Sequence, residues 1–267
     1  MVLLHAGVAD RTMWSEHLPP IAAAGYRAVA IDLPGFGEAV PVGESAPWSD
    51  VLQTMDALGV RRAVIVGNSF GGGVALSVAV TEPERVCALV LVSARPPGAQ
   101  PSPELAAAWE AEQAAMESGD LDAAVEAVLD AWTLPGAPAA LRDRVARMQR
   151  RAFELEANLE STGEGPDPVE ADPAALARLA MPALVAAGEF DMPDFRVGAE
   201  QLTRQLCDAR HVVIPEAGHL APLEQPAAFR ALLIDFLTEL GHRLRGADGR
   251  SKPGARVLKR PPGAPEP

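Results

Sequence analysis

The fold is signalled by one stretch of the chain, Ala63-Val-Ile-Val-Gly-Asn-Ser-Phe-Gly-Gly-Gly-Val-Ala-Leu76. Its first residues are apolar and rich in Val and Ile, which favours a buried β-strand. A glycine-rich turn follows, and the residues after the turn favour a helix. A strand that passes through a tight turn into a helix is the building unit of parallel sheets covered by helices. The stretch therefore predicts an α/β fold.

Short apolar runs alternate with helical patterns along most of the chain, which predicts a mostly parallel, twisted sheet with helices on both faces. The predicted strands are Val2–His5, Tyr26–Ile31, Ala63–Val66, Ala88–Val92, Ala183–Ala187 and His211–Ile214. The predicted helices between them are Trp14–Ala24, Trp48–Leu58, Gly72–Val80, Val197–Leu206 and Pro226–Leu240.

The strand pattern is interrupted after Ser93 and resumes near residue 181. Three segments in between, Pro103–Ser118, Leu121–Ala131 and Ala139–Asn158, have the Ala, Leu, Glu and Arg content of helices. The sequence therefore predicts a core made of residues 1–94 and 181–240, with a helical cap of residues 95–180 inserted between two strands.

Charge and composition exclude several classes of function. The chain of 267 residues is 48% hydrophobic and carries a formal net charge of −13, so we expect a folded protein that binds neither nucleic acid nor an anionic membrane. No signal peptide or transmembrane run is visible, and we expect a cytoplasmic protein with a small-molecule substrate. Residues 241–267 contain seven basic and two acidic residues among many Gly and Pro, which predicts a disordered basic tail.

The segment Gly67-Asn-Ser-Phe-Gly71 fits the pattern G-x-S-x-G, the nucleophile elbow. In such a turn the serine is held in a strained conformation above the sheet, and small neighbours are needed on each side. Ser69 is therefore the candidate nucleophile, and the N–H of Phe70 is placed to stabilise an oxyanion. The motif alone also fits an ordinary loop, but its position between a strand and a helix favours the elbow.

A serine nucleophile needs a base, and histidine suits that task near neutral pH. Of the five histidines, His17 and His242 are predicted on surface positions, and His211 opens a strand. His5 and His219 both follow strand ends, where ligands of open α/β sheets bind. His219, in the turn after the last strand, is the candidate base.

The base needs a carboxylate to orient its ring. Asp191 follows the penultimate strand directly, while Glu189 and Asp194 lie close by, and composition does not rank the three. With Asp191, the order serine, acid, histidine is the one found in α/β-hydrolases.

Four stretches in the right order resemble the α/β-hydrolase superfamily over nearly the whole chain except its tail. They are the elbow, the Asp191 and His219 segments, Leu3-Leu-His-Ala-Gly-Val-Ala-Asp-Arg-Thr-Met-Trp14 and Ile31-Asp-Leu-Pro-Gly-Phe-Gly37. The resemblance implies catalysis by Ser69, Asp191 and His219 without a metal or organic cofactor.

The same resemblance assigns further roles. It implies Gly7 as the second oxyanion donor beside Phe70, and it favours Asp191 as the acid. It also implies that residues 95–180 form the family's cap, in which Trp109, Trp132 and Phe153 either line a substrate pocket or pack the cap helices together.

The sequence departs from the family at two points. Ala6 stands where glycine is usual, which affects the geometry of the Gly7 donor. The chain also opens at the strand carrying His5, whereas family members usually have two strands before it. Either the true start of the chain lies upstream or the sheet lacks these first edge strands. In the second case Tyr26–Ile31 is an uncovered apolar edge, through which we expect copies of the chain to associate.

The most favoured function is hydrolysis of a small ester or related acyl compound. The elbow Gly-Asn-Ser-Phe-Gly-Gly is also similar to that of hydrolases that cleave C–C bonds in meta-cleavage products, and cofactor-free perhydrolysis is a further alternative. The least favoured reading is a non-catalytic ligand-binding protein.

Overall fold

Six parallel strands form one sheet in the computed structural model, which describes residues 1–40, 46–157 and 165–248. The strands are β1 (Val2–Leu4), β2 (Val29–Ile31), β3 (Ala63–Asn68), β4 (Val86–Val92), β5 (Ala183–Gly188) and β6 (Ala209–Ile214). They lie in the order β2-β1-β3-β4-β5-β6, and every strand pairing in the described residues is parallel. The predicted fold class is confirmed.

Helices connect the strands. They are α1 (Leu18–Ala23), α2 (Pro47–Ala57), α3 (Phe70–Thr81), α4 (Pro103–Glu117), α5 (Leu121–Trp132), α6 (Ala139–Glu156), α7 (Pro168–Ala171), α8 (Pro193–Gln205), α9 (Ala221–Glu224) and α10 (Pro226–Asp248). Short 3₁₀ helices span Arg11–Trp14, Pro83–Arg85 and Pro173–Arg178. Helices α4, α5, α6 and α7 all lie between β4 and β5 in the chain.

The inner strands β1, β3, β4 and β5 are buried on both faces, which explains why they lack polar alternation, and the edge strands β2 and β6 are only partly buried. Successive residues of β4 point to opposite sides: Val90 packs into one apolar cluster, and Leu89 and Leu91 into the other. The first cluster extends into the cap through Leu105 and Val128. The cap and the sheet therefore share one continuous core on that face.

The predicted helix Trp14–Ala24 is wrong in its bounds. Residues Arg11–Trp14 form a 3₁₀ turn, and α1 begins only at Leu18. Pro19 and Pro20 have no N–H to donate, so they fit the first turn of a helix but not its interior. His17, predicted at the surface, is in fact 1% exposed, because its ring packs against Trp14 and Phe229.

The last helix is longer than predicted. We expected order to end at Leu240, but α10 continues to Asp248, so the first residues of the predicted disordered tail are helical. A single glycine inside a helix costs only about 1 kcal/mol, so Gly241 does not end it. Arg243 in the extension forms an ion pair of 2.8 Å with Asp208. Residues 249–267 lie outside the described residues.

None of the helices in the described part of the chain combines the length and the apolar character needed to cross a membrane.

Candidate active site

Ser69 occupies the turn between β3 and α3 in a strained backbone conformation, with φ 51° and ψ −113°. Positive φ is uncommon outside glycine and must be stabilised by surrounding contacts. Two hydrogen bonds fix the turn: the N–H of Ser69 donates to Val92 O at 2.8 Å, and the N–H of Gly71 donates to His5 O at 3.0 Å. The strands on either side of β3 thus hold the serine in place.

The two motif glycines are required by close backbone approach. A Cβ on Gly67 would lie 2.2 Å from Gly71 O, and a Cβ on Gly71 would lie 2.5 Å from Leu4 O. Real Cβ atoms do not come that close to other atoms. The two glycines of the motif therefore stand at positions where the turn leaves no room for a Cβ atom.

His219 and Asp191 are in direct contact at the carboxyl ends of the neighbouring strands β6 and β5. Nδ1 of His219 lies 3.0 Å from Oδ1 of Asp191, and the N–H of Met192 donates to the same oxygen at 2.9 Å. Both side chains are buried. The carboxylate is thus placed to hold the ring in the tautomer with its proton on Nδ1, which leaves Nε2 free to act as a base.

The two competing acids have other partners. Glu189 accepts a hydrogen bond from the N–H of Glu216 at 3.0 Å. Asp194 accepts from the N–H and the hydroxyl of Ser102, at 2.8 and 2.5 Å. Of the three carboxylates, only Asp191 contacts His219.

Several side chains that we did not single out from the sequence position His219. The amide of Asn68 donates to His219 O at 3.2 Å. Glu224, five residues after the histidine, accepts from the N–H of Gly218 at 2.7 Å. The ring of Phe195 lies 4.2 Å from the imidazole, centroid to centroid. Asn68 is the first of the two variable residues of G-x-S-x-G, and a prediction that this position is buried could have singled it out.

Ser69 and His219 both line one cavity of about 940 Å³. Within the described residues, the Ser69 hydroxyl makes no hydrogen bond to the imidazole. Catalytic hydrogen bonds are commonly long or misaligned before substrate binds, and they close in the complex. The arrangement thus brings the candidate nucleophile and base into one cavity without joining them.

The two predicted oxyanion donors are neighbours. Phe70 is the first residue of α3, so its N–H has no carbonyl partner inside the helix. A Cβ built on Gly7 would be 3.5 Å from the Cβ of Phe70, in ordinary contact. Both residues line the cavity next to Ser69. The two residues therefore lie at the same end of the cavity, and the role of their amides stays a prediction.

His5 holds the loop that carries Gly7. Its Nδ1 donates to Ala6 O at 2.8 Å, and its Nε2 accepts from the N–H of Leu33 at 2.9 Å. Burial lowers the pKa of His5, so its ring is neutral. One ring nitrogen of a neutral imidazole donates and the other accepts, as in these two hydrogen bonds. His5 is thus a structural residue of the loop.

The three cap aromatics predicted for the substrate pocket all line the cavity. Trp132 and Phe153 are buried in the core that the cap and sheet share, and the Trp132 ring lies 4.5 Å from that of His219. Trp109 is 44% exposed. Trp132 and Phe153 therefore pack the cap and also form part of the cavity wall, and their contact with a substrate stays a prediction.

The chain was compared with known families and proteins. The sequence profile described as "Alpha/beta hydrolase family" matches residues 1–232. RutD of Variovorax paradoxus, a proposed carbamate hydrolase, is 31% identical over 90% of this chain and 92% of its own length. A 2-hydroxy-6-oxononadienedioate/2-hydroxy-6-oxononatrienedioate hydrolase of Paraburkholderia phymatum is 30% identical over 89% of this chain and 86% of its own.

A solved structure gives the same result for the fold. A thermophilic esterase from Thermogutta terrifontis superposes with a TM-score of 0.72, at 23% identity, over 90% of this chain and 89% of the esterase chain. The family match covers most of the sequence, and it includes the strand-turn-helix unit on which the fold prediction rested. The chain belongs to the alpha/beta hydrolase family.

Proposed function

We propose that the protein hydrolyses a small ester or related acyl compound by serine catalysis. Nε2 of His219 takes the proton of the Ser69 hydroxyl as Ser69 attacks the carbonyl carbon. The proton then goes to the leaving alcohol, and a water molecule activated by the same imidazole releases the acid. Asp191 stabilises the imidazolium that forms in each half of the reaction.

The amides of Phe70 and Gly7 would stabilise the tetrahedral oxyanion. Donors fixed before the reaction cost no reorganisation, and loss of one such donor typically costs about 10² to 10³ in kcat. Phe70 stands at the N-terminus of α3, where the helix dipole also favours negative charge. Proline would remove either N–H but would also change the backbone of the turn or loop that carries it. A boronic acid, which forms a tetrahedral adduct with the serine, is therefore used to test the oxyanion site.

One observation carries the proposal. His219, which is hydrogen-bonded to Asp191 at 3.0 Å, lines the same cavity as Ser69, and Ser69 is held at positive φ. A histidine oriented by a buried carboxylate close to a strained serine is the arrangement that serine hydrolysis requires.

C–C bond hydrolysis is the second candidate, and two observations favour it. The relative from Paraburkholderia phymatum is named for a dienedioate substrate, and the residues around Ser69 are similar to the elbow of that class. The charge of the cavity, described below, disfavours a dianionic substrate, so we rank it second. Perhydrolysis and non-catalytic ligand binding rank lower.

The test is turnover of p-nitrophenyl acetate and butyrate by the wild-type protein and by Ser69→Ala. We expect wild-type hydrolysis to be lost in the variant while its circular dichroism spectrum and melting temperature are retained. Full activity of Ser69→Ala would refute the proposal. A dienone acid and a peroxide-dependent halogenation assay, run in parallel, separate the alternative reactions, and inactivation by a boronic acid reports the oxyanion site.

A further inference from the structure

The cavity that Ser69 lines has more negatively than positively charged side chains in its described wall. Four carboxylates, Glu112, Glu156, Asp167 and Glu170, line its wall, and Arg95 is the single cation in its described lining. The charge around the cavity is therefore strongly negative.

Glu112 lies on the face of α4 that lines the cavity. Trp109, Glu112, Gln113 and Met116 all line it, at the spacing i, i+3, i+4 and i+7 that marks one face of a helix. Glu110, in the same helix, is exposed and is not part of the lining. Glu112 is thus a lining residue by its helical position, and Glu110 is its matched control.

No cation neutralises Glu112 in the described residues, where it forms neither an ion pair nor a hydrogen bond. Burial raises the pKa of Glu112, and the nearby carboxylate of Glu156 raises it further. Two carboxylates that repel each other stabilise a cation placed near them. The pair Glu112 and Glu156 therefore favours a positively charged ligand.

Arg95 is the one cation in the described lining, and its guanidinium is only partly satisfied. One of its amino groups donates to Ala99 O, and the guanidinium lies 5.7 Å from the centre of the Trp109 ring. In the described structure its buried Nε has no hydrogen-bond partner and no carboxylate lies at ion-pair distance. One cation held in this way does not balance four carboxylates.

We infer that the cavity selects acyl substrates that carry an ammonium-type cation, over neutral isosteres and above all over anionic ones. This inference rests on the proposed hydrolase function and names the substrate class for that same site. Carboxylates a few ångströms from a bound cation attract it, and the attraction is stronger in a partly dry cavity than in water. Exposure of Glu156 and salt reduce the effect.

The test uses three p-nitrophenyl esters whose acyl chains have the same length. They are the ester of 4-(trimethylammonio)butyrate, its carbon isostere, the ester of 5,5-dimethylhexanoate, and the monoester of glutarate. Each kcat/KM is divided by the rate of hydroxide hydrolysis of the same ester, which removes differences in intrinsic reactivity. We expect the order cation, neutral, anion, with a ratio of cation to neutral of about 5 or more at low ionic strength.

Glu112→Gln and Glu156→Gln should each lower the ratio of cation to neutral severalfold, and Glu110→Gln should leave it unchanged. Salt at about 0.5 M should lower the ratio in the wild-type protein and lower it less in Glu112→Gln. An equal ratio in Glu112→Gln and Glu110→Gln, or preference for the glutarate ester, would overturn the inference.

A binding experiment distinguishes failure of this inference from failure of the hydrolase proposal. Ser69→Ala protein is titrated calorimetrically with the methyl esters of the cationic and neutral acids, which need no turnover. Tighter binding of the cation supports the inference even if no ester is hydrolysed, in which case the hydrolase proposal alone has failed. Equal binding of both esters overturns the inference while leaving ester hydrolysis intact.

Discussion

Gly71 illustrates how a single residue controls the geometry of the elbow. In Gly71→Ala the new Cβ would collide with the carbonyl oxygens of Leu4 and His5, at 2.5 and 2.6 Å. Both are backbone atoms, so relief requires a shift of β1 or α3. We expect a loss of about 3 kcal/mol in the free energy of unfolding, measured by urea denaturation.

Gly73, two residues later in the same helix, is the control. A Cβ there meets nothing within 4 Å, and alanine is the better helix former. Gly73→Ala should therefore be as stable as the wild type or more stable by up to about 1 kcal/mol. Equal stability of the two alanine variants would contradict this account of the elbow.

Asp191→Asn tests the choice among the three acidic residues. An asparagine keeps the shape of the side chain but no longer stabilises the imidazolium or fixes the tautomer, so we expect kcat for an activated ester to fall about 10³- to 10⁴-fold. Asp194→Asn replaces one of the two oxygens that accept from Ser102 with an NH₂ group, and it should change stability more than kcat. A larger loss of kcat in Asp194→Asn would show that the acid has been misassigned.

The sequence could predict the residues whose role follows from local pattern. Ser69 lies in a motif, and Asp191 and His219 follow strand ends, so strand prediction brings them to one edge of the sheet. Ranking Asp191 above Asp194 by residue pattern alone was not possible, because the partner of Asp194 is Ser102, far away in the chain. The positioning contact of Glu224 with Leu134 is equally non-local.

At the scale of elements, His17 joins the segment before α1 to α9. Its Nε2 donates to Pro222 O at 2.9 Å, and burial lowers the pKa of His17 to about 4 from 6.5. Burial lowers the pKa of His5 as well. Both histidines are therefore neutral in the folded protein near pH 7.

A lowered histidine pKa makes stability depend on pH in a defined direction. The unfolded chain binds the proton of His17 below pH 6.5, whereas the folded protein resists it until about pH 4. The stabilisation is complete above pH 6.5 and is lost as the pH falls toward 4, by roughly 3 kcal/mol over the window. Urea unfolding at about pH 7 and about pH 4.5 should show this loss.

His17→Gln is the control, because glutamine can donate to the same carbonyl but does not titrate. The variant should lose less stability than the wild type between the two pH values. The same loss in both proteins would mean that His17 does not contribute to the pH dependence.

The existence of the elements was predictable, but their ends were not. The inner strands β1, β3, β4 and β5 were predicted because they are buried on both faces and are therefore almost uniformly apolar, whereas the edge strands β2 and β6 are only partly buried. The β2 strand begins at Val29 instead of Tyr26, since pairing with β1 starts at Val2. The α10 helix runs past its predicted end, and its extension contains the ion pair of Arg243 with Asp208, a contact between distant parts of the chain that local pattern does not reveal.

At the scale of the whole molecule, β2 is the last strand of the sheet and pairs with β1 alone in the described residues. An edge strand offers unpaired N–H and C=O groups to another chain. We propose that copies of the chain associate through this edge. Light scattering after gel filtration should give a mass well above the 28.0 kDa of one chain.

Ala30→Pro tests which edge is used. The N–H of Val29 donates to Met1 O within the sheet, so the N–H of the next residue points away from β1. Proline at position 30 removes an outward donor without breaking the β1 pairing, and proline is tolerated in edge strands. The variant should dissociate, and a monomeric wild-type protein would contradict the proposal outright.

The sheet, the cap and the convergence of three segments on one cavity could be derived from the order of patterns along the chain. The charge of the cavity could not. Glu112 and Glu156 lie on different helices, and only the packing of α4 and α6 over the sheet brings both to the same wall. The preference for a substrate of a given charge therefore depends on the packing of the folded protein and cannot be derived from local sequence patterns.

The central claim, that Ser69 is activated by His219, is tested most directly by a fluorophosphonate probe followed by mass spectrometry of the labelled peptide. The account predicts that the probe modifies Ser69 in the folded wild-type protein and that His219→Ala abolishes the modification while the protein stays folded. Labelling of another residue, or equal labelling of Ser69 in His219→Ala, would contradict the account.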